Sequence, residues 1–402
     1  MNILAGKRIL LGITGSIAAY KGAELASRLT QSGALVDVIL TAAAEKFVSP
    51  LTFQSVTGRK AYTDADLWGG EGHVTHIGLG RAGDLIIVAP ASATTLARLA
   101  NGLSENLLSV TALASHCPLV LVPAMDAGMY SHPATQANVK VLSERGALIV
   151  GPASGHLASG LVGVGRMEET SVIIGAARYV LGKNGILAGQ KLVITAGGTR
   201  EAIDPVRTIT NHSSGKQGYA LAQAAIDQGA DVTLITSAPL TAPYGCRVIT
   251  VESAAQMHDA VMAEIKSAAG LIMSAAVADF KPRSSSTEKI KKEAGLPVIE
   301  LEPTVDILKA VSALRGQLPG LKCVVGFAAE SEELLTNARA KLRRKNLDLI
   351  VANDISAHDA GFGVETNRVM LVKKDDSAEA LPLMTKDEVA EEVIRQVAAF
   401  FA

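Results

Sequence analysis

The sequence predicts an α/β protein of two domains built on parallel-type sheets, and three observations lead there. The chain has 402 residues, more than one hydrophobic core normally serves, so two domains of roughly 150–200 residues are expected. Hydrophobic residues make up 48% and aromatics only 3%, with 37 glycines, a balance that suits Ala/Val/Ile/Leu-rich layers better than an all-β sandwich. Short apolar runs also alternate with helical patterns twice over, first from residue 8 and again from residue 191.

The elements come in chain order. RILLGI (8–13) is apolar on both faces, the turn Thr14-Gly15-Ser16 comes next, and a helical pattern runs to Leu29. Gln31-Ser32-Gly33 breaks that helix before VDVILT, which ends at Thr41 and completes a βαβ unit. DLIIVAP (84–90), PLVLVP (118–123) and ALIVGP (147–152) are further strands, with helices over 94–101 and 134–145. Residues 181–190 are Gly-rich and polar and read as a linker, giving domains 1–188 and 189–402. The pattern then restarts with KLVITAGGT, a helix over 217–228 and the strand DVTLIT. Later strands are expected over 270–277, 321–330, 347–354 and 369–374.

Charge and cysteine content narrow the function classes. A formal net charge of -1 gives no electrostatic pull toward nucleic acid or an anionic membrane, so a small-molecule site is expected. Lys7 and Arg8 interrupt what would be a signal core, and no apolar run reaches about 18 residues, which reads as a soluble, cytoplasmic protein. Cys117, Cys246 and Cys323 are far apart and form no CxxC, so reduced thiols are expected rather than a disulfide frame or zinc site.

Two glycine turns are weak signals by themselves. Gly12-x-x-Gly15-Ser16, between strand and helix, offers backbone N–H groups and a hydroxyl to a phosphate, though a tight structural turn reads equally well. Ser213-Ser214-Gly215-Lys216 lacks the first glycine of a P-loop and is followed by Gln217, so a P-loop is rejected. The long loop from Thr195 to Ser214 is more informative. It brings Arg200, Arg207, Asn211, His212 and Lys216 near one helix N-terminus at the carboxyl end of a strand, which suits a phosphorylated substrate. The charge-dense segment 284–293 reads, on composition, as a solvated loop.

Longer motifs carry a resemblance. TAGGTREAIDPVRTITNHSSGKQG, SAAVADF (274–280), EKIKK (288–292), GFAAE (326–330) and KNLDLIVAND (345–354) resemble, in order and spacing, those of phosphopantothenate–cysteine ligase. GITGSIAAYK, FVSPLTFQ, HIGLGR, PAMDAGMY and GVGRM are similar to the flavin-dependent phosphopantothenoylcysteine decarboxylase fused ahead of that ligase in bacterial coenzyme A biosynthesis. The resemblance covers nearly the whole chain and implies a flavodoxin-like flavoprotein domain followed by a Rossmann-like ligase domain.

For the ligase half it implies attack of the phosphopantothenate carboxylate on the α-phosphate of CTP, then displacement of CMP by cysteine, with Mg2+ on the triphosphate. Asn211 would contact the substrate or its acyl-cytidylate, Ser274, Ala275, Asp279, Asp306 and Phe327 the nucleotide, and Lys289, Lys341 and Lys345 the phosphates, with Lys289 catalytic. Val305 stands where the family usually has proline. For the first half it implies FMN held by Gly15, Ser16, Thr41, Ser92 and Thr95, with His76 acting in the oxidative step and His73 a neighbour without that role. It also implies a homo-oligomer of trimers and dimers.

Two positions depart from the family pattern. Asp126 stands in PAMDAGMY where the family uses asparagine to hold the substrate carboxylate, and it would repel that group unless burial raised its pKa. Ser159 replaces the flap cysteine that donates a proton in the final reduction, and a hydroxyl is a far weaker acid. These departures put full decarboxylation in doubt and leave several readings open: an inert or scaffolding domain that keeps FMN, a reaction that stops at the enethiol, action on a related substrate, and an ordinary bifunctional enzyme that tolerates both changes. A non-enzymatic flavoprotein scaffold is the rival from another class.

Overall fold

The computed structural model describes residues 2–68, 74–291, 298–330, 333–354 and 364–401. His73 and the 292–293 end of the charge-dense loop lie outside the described residues. The chain divides into two compact units, Met1–Leu181 and Gly182–Ala402.

In the first unit the strands are β1 (Arg8–Ile13), β2 (Leu35–Leu40), β3 (Ala61–Tyr62), β4 (Leu85–Ala91), β5 (Leu119–Pro123) and β6 (Leu148–Ile149). They form one sheet in the order β3-β2-β1-β4-β5-β6, every pairing parallel. The helices are α1 (Ala19–Gln31), α2 (Pro50–Thr57), α3 (Thr75–Ala82), α4 (Ala93–Asn101), α5 (Leu107–Ala114), α6 (Ala127–Ser131), α7 (Pro133–Glu144) and α8 (Thr170–Gly182). All seven residues of β4 are buried, as an apolar run covered on both faces requires. Leu10, Ile86, Val88 and Leu121 pack with Leu96, Leu107 and Leu108 in one core. On β2, Asp37 is 2% exposed and receives the guanidinium groups of Arg8 at 2.7 Å and Arg59 at 2.8 Å. A small antiparallel hairpin, β7 (Ala153–His156) and β8 (Val162–Arg166), stands apart from the sheet. The strand expected over 147–152 is only two residues long, and the chain turns away at Gly151, whose φ is +80°.

The second unit contains β9 (Lys191–Ala196), β10 (Arg200–Ala202), β11 (Thr208–Thr210), β12 (Asp231–Thr236), β13 (Arg247–Thr250), β14 (Gly270–Met273), β15 (Phe280–Pro282), β16 (Leu301–Pro303), β17 (Cys323–Glu330) and β18 (Leu349–Asp354). It ends with β19 (Thr366–Asn367), β20 (Val369–Lys373), β21 (Ala378–Ala380) and β22 (Met384–Thr385). The main sheet runs β13-β12-β9-β14-β17-β18-β20-β21, parallel as far as β18 and antiparallel at β20 and β21. Its helices are α9 (Lys216–Asp227), α10 (Ala254–Glu264), α11 (Ile307–Leu314), α12 (Leu334–Arg344) and α13 (Lys386–Ala398). The strand expected over 270–277 ends at Met273 because the Ala275 N–H turns to the Thr195 hydroxyl and the Ala276 N–H to the Gly197 carbonyl.

Of residues 181–190, read from sequence as linker, all from Gly182 on belong to the second unit. The Leu187 N–H donates to the Gln228 carbonyl at 2.8 Å, Leu187 is fully buried, and a Cβ at Gly185 would meet that same carbonyl oxygen at 2.4 Å. Glycine is needed there for close approach rather than for flexibility. No described helix is long and apolar enough to cross a membrane.

Candidate functional site

In open α/β sheets, ligands bind outside the carboxyl ends of the strands where the strand order reverses. In the first unit that point lies between β1 and β4, and a cavity of about 480 Å³ opens there. Gly15, Ser16, Ser92, Asp126 and Ser159 all line it. A Cβ at Gly15 would stand 2.6 Å from the Ala43 Cβ, so the turn after β1 closes only with glycine. Thr41 and Thr95 are buried behind the wall: Thr41 accepts from the Ala44 N–H at 3.3 Å, and Thr95 lies 3.1 Å from the Ser92 hydroxyl, which caps α4. They position the lining and do not form it. His76, on α3, is not part of the wall, and its Nδ1 is buried without a hydrogen-bond partner among the described residues.

Sequence reasoning passed over Lys21, one helical turn and a half beyond Ser16 on α1. Its ammonium nitrogen is buried at the cavity without a hydrogen-bond partner, 3.7 Å from the Glu169 carboxylate. The lysine was present in GITGSIAAYK, and its helical spacing from the turn was the signal. His156 and Arg166, on the β7–β8 hairpin, also face the cavity and were not anticipated.

Asp126 and Ser159, the two positions read from sequence as departures, are partners. The Ser159 hydroxyl, at the hairpin tip, donates to Asp126 Oδ2 at 2.6 Å, and the Gly128 N–H donates to Oδ1 at 2.9 Å as Asp126 caps α6. These two bonds, Ser159 first, outweigh a small opposing effect of burial and hold the Asp126 carboxyl below its ordinary value. The condition under which Asp126 would not repel a substrate carboxylate, a pKa raised by burial, is therefore not met: the shift runs the other way. The Ser159 proton is committed to the Asp126 carboxylate.

In the second unit the order reverses between β9 and β14, and a second cavity lies there. Ser274, Ala275 and Phe327 line it, from the ends of β14 and β17, together with Ser213 to Gly218 at the start of α9. Gly215 has φ +79° and no side chain with which to cap the helix; the Lys216 N–H makes a long bond to the Ser214 hydroxyl at 3.5 Å, which leaves the Gln217 and Gly218 N–H groups without a side-chain cap. A Cβ at Gly218 would meet the Ala196 Cβ at 2.5 Å and the Thr195 carbonyl oxygen at 2.9 Å, which seats this helix start against β9.

The other expected residues lie outside that lining. Asn211 donates from its side-chain amide to the Val277 carbonyl at 3.1 Å, and the Asp279 carbonyl accepts from the Thr304 N–H at 2.9 Å. Asp306 caps α11 through the Lys309 N–H at 3.1 Å and pairs with Lys345, with burial opposed by those two bonds and its carboxyl left below the ordinary value. Lys341 is on α12, half-buried and already engaged.

Lys289 is exposed but its segment is anchored. Asp204, 2% exposed, accepts from the N–H groups of Val206 and Arg207 at 2.8 Å each and of Ile290 at 3.2 Å, and from the Arg207 guanidinium at 2.6 Å. Burial pushes the Asp204 carboxyl up, but the backbone N–H donors and Arg207 outweigh it and leave it below the ordinary value. The Ser286 N–H also reaches the Ile203 carbonyl at 2.9 Å. Residues 284–289 are exposed, as composition suggested, and a buried carboxylate 86 positions earlier in the chain holds the residue next to Lys289.

The three cysteines are free thiols, and none lines either cavity. Burial pushes the Cys246 thiol up to about 11 and that of Cys323 upward as well, away from nucleophilic use. Among the described residues no group of three or more His, Cys, Asp or Glu could hold a metal ion.

Residues 2–180 match the family model described as flavoprotein, and residues 187–401 the DNA/pantothenate metabolism flavoprotein C-terminal domain. A relative from Bacillus subtilis, the coenzyme A biosynthesis bifunctional protein CoaBC, is 44% identical over 401 residues, 99% of this chain and 98% of its own. One of the same name from Vibrio cholerae is 45% identical over 400 residues, 99% of each chain. A crystal structure of the C-terminal domain of a CoaBC protein is 40% identical and covers 54% of this chain and 97% of its own, with a TM-score of 0.46. With two domain models in tandem and full-length relatives at this identity, the chain belongs to the family of coenzyme A biosynthesis bifunctional proteins CoaBC.

Proposed function

We propose that the second unit ligates 4'-phosphopantothenate to cysteine at the expense of CTP. We propose further that the first unit is an FMN-dependent phosphopantothenoylcysteine decarboxylase whose turnover is impaired by Asp126 and Ser159. Membership of a bifunctional family of coenzyme A biosynthesis supports the pairing of ligase and decarboxylase. The observation that carries the ligase reading is the second cavity, which collects the uncapped start of α9, Ser274 and Ala275 after β14, and Phe327 on β17.

In that reading the α9 N–H groups and Lys216 face anionic substrate, and Phe327 presents its ring to the nucleoside. The substrate carboxylate attacks the α-phosphorus and pyrophosphate leaves; the cysteine amine then attacks the acyl carbon and CMP leaves. Lys289, held beside Ile290 by Asp204, neutralises charge developing on the phosphates. Mg2+ would ride on the triphosphate, whose oxygens are hard ligands suited to it.

The first cavity fits FMN by its size, by the glycine turn after β1 and by the buried Lys21 ammonium. Gly15, Ser16 and Ser92 would hold it, and bound FMN supplies two-electron oxidation and reduction of the cysteinyl carbon. Asp126 places a negative charge where a substrate carboxylate would sit, and Ser159 is a weak acid already donating to that charge. The second reading, release of an enethiol, is favoured by the same hydrogen bond, because it withholds a proton from the final reduction.

Both halves are tested with the purified, FMN-loaded chain. Without oxygen, phosphopantothenoylcysteine should lose CO2 slowly; mass spectrometry gives the product's oxidation level, and conversion at the rate of the Asp126→Asn/Ser159→Cys double variant would remove the claim of impairment. With CTP, phosphopantothenate and cysteine, absence of pyrophosphate release would remove the ligase reading.

A further inference from the structure

Among the described residues that line the first cavity, Asp126 is the only acidic one. An ionised carboxylate offers roughly four acceptor sites. The Gly128 N–H takes one on Oδ1 at 2.9 Å and the Ser159 hydroxyl one on Oδ2 at 2.6 Å, so acceptor capacity remains on both oxygens. Ser159 has spent its only proton in that bond, and its oxygen now presents lone pairs alone. The two side chains therefore offer a ligand acceptors and no donor. The strongest cations of the wall are engaged elsewhere: Lys21 lies 3.7 Å from the Glu169 carboxylate and Arg166 2.6 Å from it. His156, on the same hairpin as Ser159, is exposed, and Met129 and Leu157 give the wall near the pair an apolar surface.

We infer that the Asp126–Ser159 pair selects a ligand whose end group at this wall donates hydrogen bonds through N–H, as an amide or an ammonium, and rejects one that ends in a carboxylate. A carboxylate set against Asp126 has no proton to share and meets a like charge, whereas an N–H finds acceptors on both side chains. Asp126 keeps that charge at neutral pH, because its bond from Ser159 and then that from Gly128 hold the carboxyl below its ordinary value. The inference deepens the flavoprotein reading of the first unit and rests on it for the body of the ligand, a phosphopantothenoyl thiol. It names the end group: a cysteine whose carboxyl is amidated, or one with an aminomethyl group in its place.

The test is calorimetric titration of the full chain with three phosphopantothenoylserine compounds: the acid, its primary amide, and the amine with an aminomethyl group in place of the carboxylate. A hydroxyl in place of the thiol keeps the flavin from oxidising them, so binding is read without turnover. The wild-type chain should bind the amide and the amine about tenfold or more tighter than the acid. Asp126→Asn retains an oxygen to cap α6 and should strengthen the acid while weakening the amine. An amine tighter than the amide assigns the ammonium, and an amide at least as tight assigns the neutral N–H; either supports the inference. An acid bound at least as tightly as the better of the other two, no binding of any of the three, or an order of affinities unchanged in Asp126→Asn overturns it. Should Asp126→Asn fail to fold, Ser159→Ala takes its place: it leaves the carboxylate charged, and an acid that is no longer the weakest ligand overturns the inference. Titration with and without FMN separates the two readings. A chain that takes up no FMN yet keeps this order of affinities removes the flavoprotein reading and retains the selectivity.

Discussion

The first cavity depends on a contact that leaves no room for a side chain, and Gly165→Ala tests it. A Cβ on Gly165 would stand 2.2 Å from the Met125 carbonyl oxygen and 3.3 Å from the Ala127 nitrogen. Carbon and oxygen normally approach to about 3.3 Å, so the β7–β8 hairpin must withdraw by about 1 Å. The obstacle is backbone, which cannot rotate aside as a side chain would. Withdrawal also stretches the bond from the Met125 N–H to the Gly165 carbonyl, now 3.0 Å. Overpacking of this kind costs about 1–3 kcal/mol and the lost hydrogen bond about 1 kcal/mol more. For a unit of this size, about 2–4 kcal/mol lowers Tm by roughly 5–15 °C. Scanning calorimetry of the full chain should show that loss in the transition that responds to FMN, and fluorescence titration should show weaker FMN binding. Gly78→Ala, on α3 with nothing within 4 Å of its added carbon, is the control and should be neutral or slightly stabilising. A Gly165→Ala transition within about 2 °C of wild type, with unchanged FMN affinity, would refute the packing argument.

Other perturbations reach separate parts of the chain. Lys289→Ala should slow pyrophosphate release from CTP by about 100-fold or more with the fold intact by circular dichroism; a fully active variant would take Lys289 out of the mechanism. Asp37→Ala strands Arg8 and Arg59 and should cost about 2 kcal/mol, less than a fully buried pair because both guanidinium groups reach solvent. Denaturant unfolding reads this, and a change under about 0.5 kcal/mol would contradict it. Because the folded-state value of Asp126 is lowered, its bond to Ser159 is complete above the ordinary carboxylate value of 3.8 and is lost as pH falls through the lower folded value. Carboxyl-carbon NMR should place the Asp126 midpoint below 3.8, and a midpoint at or above it would show that the hydrogen bond is absent in solution. Asp126→Asn with Ser159→Cys should raise CO2 release; no gain would remove these two residues as the cause of the proposed impairment.

What could be read from the sequence divides along a physical line. The parallel strands were legible because burial on both faces leaves an uninterrupted apolar run, as β1, β4 and β9 each do. Their carboxyl ends then located both cavities, since the turn after β1 and the long loop after β9 lie there. Short edge elements were not legible: β6 keeps two residues of an apolar run of four, and the path of the chain beyond it is set by the turn at Gly151. The segment 182–190 misled for a related reason, because glycines that permit close packing and glycines that permit flexibility look alike in composition.

Within the sites, the limit is pairing across the chain. Asp126 and Ser159 each appeared as a separate loss, one of a carboxylate-holding amide and one of a proton donor. Taken separately they allow independent effects, and either reversion alone would be expected to recover part of the activity. The 2.6 Å bond between them couples the two positions. Asp126→Asn alone frees the Ser159 hydroxyl but leaves no thiol, and Ser159→Cys alone sets a thiol beside a carboxylate, which raises its pKa and holds it protonated. Contacting residues depart from additivity by about 0.5–3 kcal/mol, so the double reversion should exceed the product of the two single ones.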